Sequence, residues 1–182
     1  MSRKYKFHDS TQPYFVSYST VNWISIFTRK IYFDVVVKSL QYCIKEKGLI
    51  VNAWCIMPNH IHLIIRSDTN LLEDIMRDMK KFTAKKLIKI IQQLPQESRK
   101  KWMLWMFKRA GQNNSNNNKY QFWQQHNQPI ELDTNDKIDQ RLKYLHMNPV
   151  KAGFVRKPQD WLYSSAKKYA GLPGFLNLEL IE

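Results

Sequence analysis

The stretch Met57-Pro58-Asn59-His60-Ile61-His62-Leu63-Ile64-Ile65-Arg66 decides how the rest of the chain is read. Pro58-Asn59 is a turn signal, and the β-branched, apolar run behind it predicts a strand over residues 60–65. Successive side chains of a strand point to opposite faces. His60 and His62 then project from one face, while Ile61, Leu63 and Ile65 go to the other. Burial of the apolar face would fix the register, because a slip of one residue turns both histidines into the core. Two imidazoles side by side make a pair of nitrogen ligands for a divalent metal. For these three residues alone, a chance pair on a half-exposed strand is the competing reading.

Working outward, residues 49–56 (Leu-Ile-Val-Asn-Ala-Trp-Cys-Ile) read as a strand that pairs with the histidine strand in a hairpin. Ahead of it, Val36, Leu40, Cys43 and Ile44 recur at helical spacing, and Gly48 can close that helix in a left-handed cap. Residues 14–21, rich in aromatic and β-branched side chains, read as a first strand. Behind the hairpin, Asn70 with Glu73 three residues on predicts a capping box. The helix it opens would bury Leu72, Ile75, Met76, Met79 and Phe82, and its second half carries Lys80, Lys81, Lys85, Lys86 and Lys89. Residues 97–112 form another basic, aromatic and helical segment, and the asparagine-rich residues 113–118 read as a surface loop. Residues 120–123 (Tyr-Gln-Phe-Trp) are expected to return to the sheet as its fourth strand.

This order predicts an α+β fold of the ferredoxin-like β-α-β-β-α-β kind, with helices on one sheet face and His60 and His62 on the open one. The organisation expected is a basic tail over residues 1–12, one domain over 13–170 and a short tail over 171–182. Across 182 residues, 29 Lys and Arg stand against 15 Asp and Glu, giving a formal charge of +14. A charge of that size points first to nucleic acid and second to an anionic membrane surface. No apolar run approaches the roughly 20 residues of a membrane span, and Met1-Ser2-Arg3-Lys4 lacks a signal-peptide core. Cys43 and Cys55, in apolar surroundings and without CxxC spacing, fit two reduced thiols of a cytoplasmic protein.

A last helix is expected from residue 135 to Asn148, stopped by Pro149, with Ile138, Leu142 and Leu145 as its core stripe. Tyr144, Asn148 and Arg141 fall together on one flank, and His146 falls off it, toward the surface. Taken alone, Tyr144 reads as an amphipathic residue at a core margin and Asn148 as a helix terminator. Beside a metal held by two imidazoles and an amide oxygen, however, a tyrosine can serve as a covalent nucleophile on a phosphodiester.

The pattern resembles the HUH single-tyrosine transposases, His60-Ile61-His62 matching the name-giving motif, and most closely the REP-associated tyrosine transposases. Three blocks carry the likeness in order: Asn52-Ala53-Trp54-Cys55-Ile56-Met57-Pro58-Asn59-His60-Ile61-His62, then Tyr144-Leu145-His146-Met147-Asn148-Pro149-Val150-Lys151-Ala152-Gly153, then Asp160-Trp161-Leu162-Tyr163-Ser164-Ser165. The resemblance implies a dimeric catalytic domain with Mg²⁺ or Mn²⁺ held by His60, His62 and Asn148. It implies that Tyr144 attacks single-stranded DNA beside a hairpin, forming a 5′-phosphotyrosine bond and freeing a 3′-hydroxyl that a later rejoining step reverses.

Independently of the family, phosphoryl transfer needs positioning and charge neutralisation more than covalent help. The phosphate contacts expected are Lys80, Lys81, Lys85 and Arg141; Trp102, Trp105 and Trp123 are stacking residues unless the core claims them. Two other readings stay open at the level of sequence. One is a domesticated DNA-binding protein without strand transfer. The other is a metal-dependent nuclease in which water attacks and Tyr144 is only structural.

Overall fold

The computed structural model describes residues 7–112, 119–125 and 129–181. Four strands, β1 (Tyr14–Ser19), β2 (Leu49–Ile56), β3 (His60–Ser67) and β4 (Ile130–Glu131), form one antiparallel sheet in the order β2-β3-β1-β4. Between them run α1 (Lys30–Lys47), α2 (Leu72–Gln93) and α3 (Lys100–Gln112), and α4 (Asn135–Lys151) follows. The order and directions are those of the expected ferredoxin-like arrangement.

Alternation along β3 sets up two cores. Ile61, Leu63 and Ile65 are fully buried with Tyr14, Val16 and Tyr18 of β1 against α1, α2 and α3. Gly48 closes α1 at φ 64°, as its sequence position implied. On the opposite face, Phe15, Ala53, Cys55 and Ile64 form a second, smaller core with Leu132 and Leu145. The face expected to stay open is therefore covered, by α4, whose stripe of Ile138, Leu142 and Leu145 packs there. A sequence stripe shows that a helix buries one side, but not which sheet face receives it.

The fourth strand lies elsewhere than expected. Residues 120–123 make only an isolated bridge, Thr20 to Trp123, and Tyr14 and Phe15 pair instead with Glu131 and Ile130. Phe122 and Trp123 are both buried in the first core, which adjacent residues on a regular strand cannot be. β1 also stops at Ser19, because the Thr20 hydroxyl donates to the Ile24 carbonyl at 2.8 Å and turns the chain.

Three local expectations are corrected. Asn70 does not cap α2; its amide donates to the Lys47 carbonyl, and the Leu72 N–H is received by Ser10 Oγ at 3.0 Å. On α2 the exposed residue is Phe82, and Thr83 takes the buried place one position on. Pro149 does not stop α4, which continues to Lys151. Proline removes one backbone donor, and the turn still closes through Ala152 N–H to Asn148 O and Phe154 N–H to Pro149 O, both at 3.0 Å. The asparagine-rich segment 113–118 lies outside the described residues.

The outer edge of β2 is covered by the chain's last part. Ile56 N–H donates to Tyr163 O, Ser165 N–H to Trp54 O and Glu179 N–H to Val51 O. At the bulge between Val51 and Ala53, Asn52 donates through its amide to Glu179 O. An edge paired in this way is closed to another strand. Leu145 anchors α4 to the second core with no exposure. Replacing it (Leu145→Ala) is expected to cost about 2–5 kcal/mol in a urea titration, the range for a buried leucine truncated to alanine.

Candidate active site

The site is built where β3 and α4 cross. Ser19 and Ser17 of β1 lie directly opposite His60 and His62 on β3, so all four share the face that α4 covers. Tyr144 and Asn148, four residues apart, stand one above the other on that helix. Asn148 Nδ2 lies 3.0 Å from His62 Nε2, across 86 residues of sequence. The Tyr144 ring stands edge-on to His62 at 5.3 Å between centroids, and the two imidazoles are 4.7 Å apart. Phe15 stacks against His62 at 5.3 Å and meets the Tyr144 ring edge-on at 6.0 Å. Arg141 lies over Phe15 at 5.2 Å, and Lys151 lies 6.0 Å from the Tyr144 ring centre. The structure thus brings together His60, His62, Tyr144, Asn148 and Arg141.

Burial differs sharply across this cluster. His62 is 4% exposed, whereas Tyr144 keeps 39% of its surface in contact with solvent. Burial pushes the His60 imidazole down to about 4. His62 falls to about 3, by burial first and then by the charges at His60 and Arg141. Both rings are therefore neutral at pH 7, the form that ligates metals. The Asn59 carboxamide oxygen sits 2.7 Å from His60 Nδ1, which leaves Nε2 with the free lone pair when Nδ1 carries the proton.

Two imidazole nitrogens and an amide oxygen would hold a divalent cation. A half-turn of the Asn148 amide presents Oδ1 in place of Nδ2–H. Oδ1 would then stand beside His62 Nε2, where Nδ2 lies at 3.0 Å. Among the described residues, no group of three or more His, Cys, Asp or Glu gathers to hold a metal. Two imidazoles and one amide oxygen are thus the donors that this crossing offers.

His146 is not a surface residue, contrary to expectation. Its Nε2 lies 2.7 Å from Ser165 Oγ, and its ring meets Tyr169 edge-on at 5.0 Å. Ser165 Oγ also donates to Trp54 O at 3.1 Å and accepts the Trp54 N–H at 3.0 Å. One hydroxyl therefore fastens α4 to the edge of β2. Ser165 Oγ and His146 Nε2 share one hydrogen bond, whose donor is set by the imidazole tautomer.

The remaining expected site residues scatter. Trp123 is 6% exposed and donates from Nε1 to Thr83 Oγ1 at 3.1 Å, so the core claims it and it offers no stacking face. Lys80 turns inward, donating to Gln124 O at 2.8 Å above the Tyr18 ring, and burial lowers its ammonium to about 8. Lys81 and Lys85 are exposed on α2, which packs on the sheet face opposite to His60 and His62. Trp102 and Trp105 are exposed on α3 at 48% and 53%.

Sequence reasoning missed three neighbours of the site. Lys151 and Asn59 were legible, since one lies a helical turn or two beyond Tyr144 and the other abuts His60. Trp23, 57% exposed and edge-on to His60 at 5.9 Å, had no periodic signal to announce it.

The family model described as "Transposase IS200 like" matches residues 18–110, just over half of the chain. The chain belongs to the IS200-like transposase family. A Haemophilus influenzae protein assigned to the REP-associated tyrosine transposases is 32% identical over 119 residues, covering 62% of this chain and 56% of that protein. The chain thus spans about half the length of that curated relative. Among solved structures, a REP-associated tyrosine transposase bound to a REP hairpin superposes with a TM-score of 0.62 at 16% identity. That superposition covers 100% of this chain and 94% of the other, and it establishes a shared fold.

His146 gives the site a pH signature. Burial holds its imidazole at about 4 in the folded protein, against a reference of about 6.5 when unfolded. Between those values the unfolded state binds more protons, so stability is full above pH 6.5 and lost as pH falls toward 4. Urea titrations of chelator-treated protein across that range should show the decline, with a shallower slope for His146→Gln.

Proposed function

We propose that this protein is a metal-dependent single-stranded DNA endonuclease and strand transferase that cuts beside hairpins through a covalent 5′-phosphotyrosine intermediate. The observation that carries the reading is the convergence of Tyr144, Asn148 and His62 from two elements distant in sequence, with Tyr144 alone of the three substantially open to solvent. A nucleophile has to reach a polymer from outside, whereas ligands work best when desolvated and fixed. Family membership and the hairpin bound by the fold relative support the same substrate class.

In this reading the Tyr144 phenolic oxygen forms a bond to phosphorus as the bond from phosphorus to the 3′-oxygen breaks. The phenolic proton is lost to the surroundings and the departing 3′-oxygen gains one, giving a 5′-phosphotyrosine linkage and a free 3′-hydroxyl. Attack by a second 3′-hydroxyl reverses the step, conserving the phosphodiester energy in the tyrosyl bond. His60, His62 and Asn148 would hold Mg²⁺ or Mn²⁺, which supplies charge neutralisation at the non-bridging oxygens. Arg141 and Lys151 flank Tyr144 and are placed to meet phosphates on either side of the attacked one. Ser17 and Ser19 line the strand beside the histidines. The working unit is taken to be a homodimer, in keeping with the resemblance.

The test uses end-labelled single-stranded oligonucleotides carrying hairpins from the DNA flanking the gene, with Mn²⁺ or Mg²⁺, run on denaturing protein gels. A labelled band should form and be abolished by chelator. Tyr144→Phe should lower its yield by on the order of a thousandfold or more, as removal of a covalent nucleophile does. His62→Ala should behave likewise. Cleavage that survives in Tyr144→Phe would transfer the chemistry to water, and tight binding with neither adduct nor cleavage would reduce the protein to a DNA-binding one.

A further inference from the structure

Between β1 and α1 the chain makes a single short turn, Val21–Trp23, whose two central residues both adopt left-handed backbone: Asn22 at φ 53° and Trp23 at φ 52°. Asparagine tolerates this conformation, but for a bulky residue such as tryptophan it is a genuine outlier. Such strain costs on the order of 1–3 kcal/mol per residue and persists only where the surroundings over-determine it. They do so here. The Thr20 N–H donates to Asn59 O at 2.9 Å, Val21 N–H to Phe122 O at 2.9 Å, and the Asn59 amide to the Trp23 carbonyl at 3.3 Å. The turn is thus bolted to the residue that precedes His60 and to the segment ending at Trp123.

The result of that strain is an indole held outward, 57% exposed, with its edge to His60 at 5.9 Å. Burial does not explain it, because the neighbours that fill the core there are Val21 and Ile24, at 5% and 3% exposure. On the far side of the turn, Val21 and Asn22 form one wall of a cleft of about 600 Å³. Its other lining residues are Met106, Arg109 and Ala110 of α3, with Gln121 and Gln124. Arg109 stacks its guanidinium over the exposed Trp105 ring at 5.4 Å. A cleft carrying one guanidinium therefore begins at Asn22, the residue before the Trp23 indole that meets His60.

We infer that Trp23 is a base-stacking residue at the mouth of the active site, and that the unpaired strand runs from it along the cleft of Asn22, Arg109 and Gln124. The inference rests on the proposed single-strand reading and adds the path of the strand to it. An unpaired strand is the occupant that suits these walls. Its bases expose π-faces for Trp23 and Trp105, its phosphates meet Arg109, and the base edges meet the exposed Asn22 carboxamide, while the Gln121 and Gln124 amides hold the cleft wall through Trp123 O and Thr20 O. A duplex hides its π-faces in the stack and offers none of this to an isolated indole. Trp23 is a binding and positioning residue, setting which nucleotide lies against the His60 side of the site.

The experiment measures binding in a Tyr144→Phe background, where no strand is cut, by fluorescence anisotropy of a labelled single-stranded hairpin-flank oligonucleotide and of a matched blunt duplex. Glycine adopts φ > 0 freely, so Trp23→Gly should melt at or above the parent temperature. It should nevertheless bind the single strand about tenfold more weakly, as loss of one base–aromatic stack does, while Trp23→Phe stays within about threefold. Arg109→Gln should weaken the single strand more than the duplex. Single-strand binding by Trp23→Gly equal to the parent's overturns the inference, as does a loss that accompanies a lower melting temperature or falls equally on the duplex. A parent that binds no single strand at all overturns the proposed function itself, a result visible before any Trp23 variant is compared.

Discussion

Desolvation of the His60–His62 pair beneath α4 is the constraint on which the site's chemistry depends. A strand that exposed both rings to water would leave them titrating near neutrality, half of them protonated and unable to ligate at mildly acidic pH. Burial of His62 against Phe15, Tyr144 and Asn148, and of His60 against Asn59 and Trp23, moves both well below that range, and Arg141 adds to the effect at His62. The imidazoles are then kept as lone-pair donors by the fold itself. The same burial leaves His62 Nδ1 without a hydrogen-bond partner, a cost that a folded protein carries only when something else is gained. In the proposed reaction, neutral ligands with no carboxylate between them would leave a divalent ion its full charge for a phosphate to meet.

Because α4 carries both the nucleophile candidate and an amide, its docking has to be precise at more than one point. Leu145 fills the second core, and the next residue, His146, reaches Ser165, whose hydroxyl is already tied to both backbone groups of Trp54. Apolar contact alone would let the helix slide or roll by a fraction of a turn. The directional bond through His146 removes that freedom, and Tyr144 and Asn148 lie two residues to either side of it. Continuation of the helix past Pro149 serves the same end, since Asn148 then sits inside a hydrogen-bonded turn and not on a fraying terminus.

What the sequence disclosed follows from the range of the interactions involved. The bounds of β2, the alternation of β3 and the glycine stop of α1 are set by neighbours a few residues away, so pattern alone exposes them. The N-terminus of α2 is completed by Ser10, 62 residues earlier, and no local pattern could replace Asn70 with it. His146 looked solvated because its partner is Ser165, in a different element. Tyr120 to Trp123 has strand composition, yet the chain there places two consecutive aromatics in one core and leaves the sheet edge to Ile130 and Glu131. The residues that converge at the crossing, His60, His62, Tyr144 and Asn148, were legible in the first two sequence blocks. The site's electrostatics were not, because they depend on α4 covering a face that the alternation of β3 left formally open.

The distribution of charge separates two jobs that a count of lysines merges. Much of the +14 charge comes from residues remote from the histidines; Lys81 and Lys85, for example, lie on the layer behind the opposite sheet face. Charges so placed raise the local concentration of a polyanion and speed its encounter, an effect that salt screens. Groups close to Tyr144 are few, Arg141 and Lys151, and each is held against an aromatic ring that fixes its position. In the proposed reaction, orientation at the attacked phosphate would fall to this small, stacked set of cations, with the diffuse field left to surface lysines. In that reaction, a single strand drawn in by the field would still have to be presented to the site one nucleotide at a time. The strained turn at Asn22 and Trp23 meets that need: it keeps an aromatic surface out of the core and beside His60, at a conformational cost that Thr20, Asn59 and Phe122 together sustain.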